Sequence, residues 1–183
     1  MGEPARPWLI ALRGLPGAGK SRLARALAPE LGAVIVDRDA LRAALFPEII
    51  TRPEAKAGAW RLVEAAVLAR LGAGLTTILD GATLLTRADR DRVRRLAREA
   101  DARLLLTTIE CPLALAVARV EADQSRGDHP APDRTAELVQ AVAARAEVLA
   151  DDERGLAAER RLTLAAEQAT ARQLARLLTV LAD

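Results

Sequence analysis

The chain has no tyrosine, one phenylalanine and two tryptophans among its 183 residues, and it has one cysteine and one histidine. The lone Cys111 excludes an intramolecular disulfide, and with the lone His129 it excludes a zinc-type Cys/His cluster. A disulfide-stapled scaffold is therefore ruled out, and a reducing cytoplasm is the expected setting. The scarcity of aromatic rings leaves few platforms on which nucleic-acid bases could stack. No apolar run reaches the roughly 18 residues of a membrane span. The first residues, Met1 to Pro7, carry Glu3 and Arg6 where an export signal has an apolar core. An excess of one charge is also missing: 27 basic residues face 25 acidic ones, for a net +2. That balance makes no case for a nucleic-acid or membrane partner, and the pI of 9.3 reflects arginine content.

What is present is a soluble-type composition, half apolar and about a quarter charged, rich in Ala, Leu and Arg. The length suits one domain over residues 1–183, able to bury roughly 70% of the surface of its unfolded chain. Short aliphatic runs alternate with longer amphipathic stretches, the pattern of βαβ units and an α/β fold with a parallel sheet. Strands are predicted at Trp8–Leu12, Val34–Val36, Leu75–Leu79, Leu104–Ile109 and about Arg161–Leu164. Helices are predicted from Lys20 to about Leu31, around Leu41–Leu45, from Pro53 to Leu71, from Thr86 or Arg87 to Ala100, and from Pro112 to about Ala122. Two more run to Ala150 and from about Gln168 to Leu181. The polar stretch Asp123 to Asp133 reads as a loop.

Gly14-Leu15-Pro16-Gly17-Ala18-Gly19-Lys20-Ser21 satisfies the G-x-x-x-x-G-K-[ST] pattern between a strand and a helix, the context that gives the match its meaning. Glycines at 14, 17 and 19 let the backbone curl with its N–H groups inward, and the positive end of the helix faces the same point. Nucleotide contacts are expected from Gly14, Pro16, Gly17, Ala18, Gly19, Lys20 and Ser21, with Arg22 next to them. Lys20 supplies a positive charge between the β- and γ-phosphates, and the Ser21 hydroxyl is placed for Mg²⁺. Asp80, ending an aliphatic strand, has the position of a second magnesium-directed group.

A P-loop alone does not separate kinases from motors and switches. No N-K-x-D guanine motif occurs, and 183 residues hardly accommodate the coupling elements of an AAA+ motor. The sequence does offer Asp37-Arg38-Asp39-Ala40-Leu41-Arg42 at the end of the second strand, where parallel sheets collect ligands. Asp39 is the candidate base for an acceptor hydroxyl, or the N-cap of the short helix; the roles are compatible. Arg42 would hold an anionic or polar part of the acceptor, and Asp37 is a further substrate or magnesium contact. Arg119 and Arg126 flank the start of the 123–133 loop, which reads as a lid delivering a guanidinium to the transferring phosphoryl group. Arg87, Arg90, Arg94 and Arg98 form a possible basic stripe. With acids interleaved, it reads as a solvated helix face and does not favour a nucleic-acid groove. His129 reads as an exposed lid histidine and Cys111 as a packing residue.

The P-loop form G-x-P-G-x-G-K-S, the D-R-D-x-x-R element at 37–42, I-L-D-G-A-T at 78–83 and R-x₆-R-G at 119–127 together resemble a group of small P-loop kinases. These are of the polynucleotide-kinase and zeta-toxin type, including chloramphenicol phosphotransferase-like enzymes and AAA-type predicted kinases. The likeness covers about residues 8 to 150. It implies a P-loop NTPase fold of the nucleoside/nucleotide-kinase type: a five-stranded parallel sheet, helices on both faces and a lid at about 123–133. It implies ATP and Mg²⁺ as cofactors, Lys20 and Ser21 on phosphate and magnesium, Asp39 as base, Arg42 on the acceptor and Arg126 as lid arginine. Thr83 is implied as a polar residue lining the acceptor pocket. The expected reaction is transfer of the γ-phosphate of ATP to a hydroxyl of a small molecule or a nucleic-acid 5′ end. The contrasting expectation is an ATP-binding regulatory or toxin-like module that transfers nothing.

Overall fold

A computed structural model describes residues 6–127, 131, 133–146 and 159–182. Five strands, β1 (Trp8–Arg13), β2 (Val34–Asp37), β3 (Thr77–Asp80), β4 (Arg103–Glu110) and β5 (Glu159–Ala165), form one sheet in the order β2-β3-β1-β4-β5. Every pairing is parallel. All six residues of β1 are buried, as a central strand covered on both faces requires. Side chains alternate across it: Leu9 and Ala11 enter one core, Ile10 and Leu12 the other.

The first core lies under α3 (Pro53–Gly72) and α4 (Arg87–Glu99), which contribute Val63, Val67, Leu71, Val93 and Leu96. The second lies under α1 (Lys20–Leu31) and α7 (Thr170–Ala182), with Leu23, Leu27 and Leu177. Helix α2 (Arg38–Leu45) follows β2 directly, while α5 (Leu113–Arg126) and α6 (Ala136–Ala144) pack on each other through Ala116, Val120 and Val139. Among the described residues no helix is long and apolar enough to cross a membrane.

Several boundaries differ from the sequence expectation. The third strand begins at Thr77, and Leu75 is exposed, because Leu75 belongs to the turn closing α3 and its N–H reaches Arg70 O. The helix after Thr135 ends at Ala144, short of Ala150. Helix α5 runs through the first part of the expected 123–133 loop, to Arg126, and stops at Gly127 with φ +68, a left-handed position that glycine tolerates. His129 lies outside the described residues.

The expected solvated face of α4 is found only in part: Arg87 and Arg98 are exposed, but Arg90 and Arg94 are not. Arg90 is 1% exposed and donates to Leu85 O, and Arg94 pairs with Glu159 of β5 at 2.9 Å. Partners from outside the helix drew these cations inward, a choice no helical spacing could reveal. Trp60 is partly buried against the first core, with the guanidiniums of Arg38 and Arg92 5.6 and 4.6 Å from its ring centroid.

Candidate active site

The C-terminal ends of β1, β2 and β3 open into one cleft of about 840 Å³, at the upper end of the range for small-molecule sites. Beside it the chain reverses direction across the sheet, with β2 and β3 on one side of β1 and β4 and β5 on the other. Ligands of open α/β sheets collect at such a switch point. Nine basic and five acidic side chains line the cleft, an excess suited to a polyanion.

The P-loop wraps its edge. Its first N–H, on Gly14, donates to Thr83 O at 3.0 Å, so the loop after β3 anchors the loop after β1. Gly17 has φ +84, and a Cβ there would lie 2.3 Å from Ala116 O of α5. Glycine at 17 is thus demanded by close packing as well as by backbone conformation. Lys20 is buried and its Nζ donates to Gly14 O and Leu15 O, both at 2.9 Å. Burial lowers its ammonium from 10.5 to about 8, against the opposing attraction of Asp80. The charge is held ready for a partner that protein groups only partly supply.

Gly19, with φ +96, caps α1, and Ser21 and Arg22 line the cleft on its first turn together with Pro16. Ala18 is buried beneath the loop and its N–H bonds Leu15 O, so its contribution is through the backbone. Arg119, from α5, donates to Gly17 O at 3.2 Å and to Ala166 O at 3.3 Å. It braces the P-loop against the end of β5 while lining the cleft.

Acids line the same cleft. Asp37 and Asp80 are register partners on β2 and β3, which sets the two residues side by side at the sheet's edge. Asp80 is 1% exposed, and its Oδ1 is buried without a hydrogen-bond partner. A buried carboxylate oxygen in that state is suited to a cation or to that cation's water. Ser21 and Asp80 together could therefore hold magnesium. Among the described residues no group of three or more His, Cys, Asp or Glu could by itself hold a metal ion.

The helix cap is Asp37, not Asp39: its Oδ1 accepts from the N–H groups of Asp39 (2.8 Å) and Ala40 (3.0 Å). Burial pushes the Asp37 carboxyl above the usual carboxylate range; the two backbone bonds oppose this, and the charges of Asp80 and Asp39 reinforce it. The capping leaves Asp39 on the first turn of α2, where its Oδ1 meets Arg38 at 3.1 Å and Arg42 at 3.5 Å. Gly81 makes this turn possible. It has φ +71, and a Cβ on it would fall 2.4 Å from Asp37 Oδ1 and 2.6 Å from the Asp39 nitrogen. The I-L-D-G-A-T stretch held the signal for Gly81, but its reason lies in β2. Thr83 and Ala82 line the cleft just beyond.

Arg42 is 3% exposed and forks onto Asp133, with bonds of 2.8 and 3.1 Å. Lys56 of α3 reaches the same carboxylate at 3.5 Å. Burial alone would raise the Asp133 carboxyl, but the hydrogen bonds and charge of Arg42, with Lys56, outweigh it and hold it below the usual range. Arg42 thus lies in the expected half of the cleft with a carboxylate already on its guanidinium. Arg126 is more exposed, at 57% of its side chain, and pairs with Asp123 on its own helix at 2.5 Å. A neighbour that the sequence did not suggest, Arg134, also lines the cleft, 3.5 Å from Asp123.

Residues 9–149, well over half of the chain, match the family described as the AAA domain. The chain belongs to that family. This AAA domain also shares its fold with solved structures, two of the following three being kinases. One is a sugar kinase from Janibacter sp. HTCC2649, with a TM-score of 0.69 and 23% identity over 94% of this chain and 93% of that one. Another is the APS kinase of Mycobacterium tuberculosis in complex with AMPPNP and APS, with a TM-score of 0.66 and 18% identity over 98% and 100%. A third is Kti12 from Chaetomium thermophilum in complex with ADP-AlF3, with a TM-score of 0.70 and 18% identity over 93% and 97%. A search among curated proteins finds no match. The AAA domain accordingly has an α/β fold with a five-stranded parallel sheet, the fold those structures share.

Proposed function

We propose that the chain is an ATP-dependent phosphotransferase that moves the γ-phosphate of ATP to a hydroxyl of a small acceptor. The observation that carries this reading is the meeting of P-loop residues and a candidate base in one cleft. The P-loop residues Lys20 and Ser21 line it together with Asp39, Arg42 and Asp80. In the reaction the acceptor oxygen bonds the γ-phosphorus as the bond from that phosphorus to the bridging oxygen breaks, and ADP leaves. Asp39 takes the hydroxyl proton. Lys20 and the loop N–H groups hold the charge that gathers on the bridging and equatorial oxygens. Ser21 and Asp80 would hold magnesium, which would supply further neutralisation of the triphosphate. Arg38 and Arg42 fix the Asp39 carboxylate from the side, so its free oxygen can face an acceptor.

A nucleic-acid 5′ end is the less supported acceptor. The arginines at helical spacing on α4 are consumed within the fold at Arg90 and Arg94, so no basic stripe is offered there. Known kinases of this fold include a sugar kinase and an APS kinase, which suits a small acceptor. A cytoplasmic setting, where ATP is plentiful, suits that donor.

The test is transfer of labelled γ-phosphate to pooled metabolites and, in parallel, to 5′-OH DNA and RNA. A labelled small-molecule product that disappears in Asp39→Asn is the expected result. Nucleotide binding with no product across the panel would overturn the reading in favour of an ATP-binding regulatory or toxin-like module.

A further inference from the structure

The segment carrying Asp133 brings a second cation into the cleft. Arg134 is partly buried, its side chain 16% exposed, and its Nε is buried without a hydrogen-bond partner. The guanidinium touches Asp123 only at 3.5 Å, longer than the 2.5 Å contact that Arg126 makes with the same carboxylate. Lys20, Asp39 and Asp80 line the same cleft and are close enough to act on its charge. Burial lowers the guanidinium from its ordinary value, while Asp123, Asp39 and Asp80 pull the other way. The result is a desolvated cation set among the phosphate lysine, the candidate base and the candidate magnesium carboxylate. Arg126, by contrast, is exposed at the end of α5.

We infer that Arg134, and not Arg126, is the guanidinium that contacts the transferring phosphoryl group. The inference rests on the phosphotransferase reading above. As the γ-phosphorus passes from the bridging oxygen of ADP to the acceptor oxygen, charge spreads over its equatorial oxygens. Lys20 meets that charge from the P-loop side and Arg134 from the α6 side. Asp123 positions Arg134 through its longer contact, and Arg42 holds the neighbouring Asp133 in place.

The experiment compares Arg134→Ala, Arg134→Lys and Arg126→Ala in the full chain. Affinities for AMPPNP and for ADP with aluminium fluoride are read by calorimetry, and folding by thermal melting. Arg134→Ala is expected to weaken the fluoride complex about 10²- to 10³-fold, the scale for one transition-state donor. AMPPNP affinity should change less than about fivefold, and Arg126→Ala, whose cation also lines the cleft, should lower both affinities alike and by less than about fivefold. Arg134→Lys keeps the charge without the fork and is expected to fall between. Equal loss of both affinities in Arg134→Ala, or selective loss of the fluoride complex in Arg126→Ala, would overturn the assignment. If Arg134→Ala melts before assay temperature, Arg134→Lys alone decides: unchanged preference for the fluoride complex overturns it. A wild-type chain that binds ADP but gains nothing from aluminium fluoride would instead overturn the phosphotransferase reading, and this inference with it.

Discussion

Replacing Lys20 by methionine removes a cation from a buried loop, and the empty protein should become more stable for it. The ammonium is held at about 8 rather than 10.5 because burial strips its water. At 1.36 kcal/mol per unit, that displacement corresponds to about 3 kcal/mol of penalty on the charge in the ligand-free site. Two hydrogen bonds, to Gly14 O and Leu15 O, are lost in the variant and offset part of the gain. A net stabilisation of about 1–2 kcal/mol near pH 7 is expected, or a rise in Tm of about 2–8 °C for a chain of this size.

The pH dependence isolates the cause. Folded Lys20 gives up its proton near pH 8, while the unfolded chain keeps it to about 10.5. Between those values the unfolded state binds more protons, so wild-type stability rises with pH, and Lys20→Met lacks that rise. The composition makes the measurement unusually clean: there is no tyrosine, and Lys20 and Lys56 are the two lysines. Urea unfolding of both proteins from about pH 7.5 to 10.5 should show the difference shifting by up to about 3 kcal/mol, from an advantage of the variant to a deficit of about 1–2 kcal/mol. MgATP should abolish the rise in wild type by placing phosphate beside the ammonium, and should stabilise the variant far less. A wild-type-minus-variant difference that stays flat across this window would refute the claim that burial penalises the ammonium.

Other expectations are narrower. Asp39→Asn should lower kcat by about 10²- to 10⁴-fold while leaving nucleotide affinity intact, as measured by single-turnover transfer and calorimetry. Gly81→Ala forces a Cβ to within 2.4 Å of Asp37 Oδ1 at a left-handed φ. It should cost about 1–3 kcal/mol in urea unfolding and raise the KM for acceptor more than that for ATP. Asp133→Asn breaks the fork on Arg42 and should cost about 1–2 kcal/mol at neutral pH. The Asp133 carboxyl is depressed in the fold, so its contribution is present above its unfolded value and lost as pH falls through the folded one. The Asp133→Asn deficit should therefore vanish on acidification, which thermal melts across acidic pH would show.

By itself the sequence determined the features whose geometry is local. The P-loop is eight consecutive residues between a strand and a helix. Its glycines, Lys20 and Ser21 stand where the spacing requires because few intervening torsions separate them. The strand and helix order was likewise legible, since two-residue and 3.6-residue periodicities are set by the backbone. Only boundaries near turns moved, as at Leu75 and Ala144. The tertiary structure decided what depends on partners distant in the chain. Asp37 rather than Asp39 became the helix cap because the turn after β2 aims its carboxylate at two N–H groups and Gly81 leaves it room. Arg90 and Arg94 turned inward because a loop carbonyl and a strand glutamate received them. Arg42 found Asp133 91 residues away, and Arg134 entered the cleft with no motif to announce it. In a chain with so many arginines, the one that meets a phosphate is chosen by burial and by neighbouring charge, and neither is encoded in spacing along the sequence.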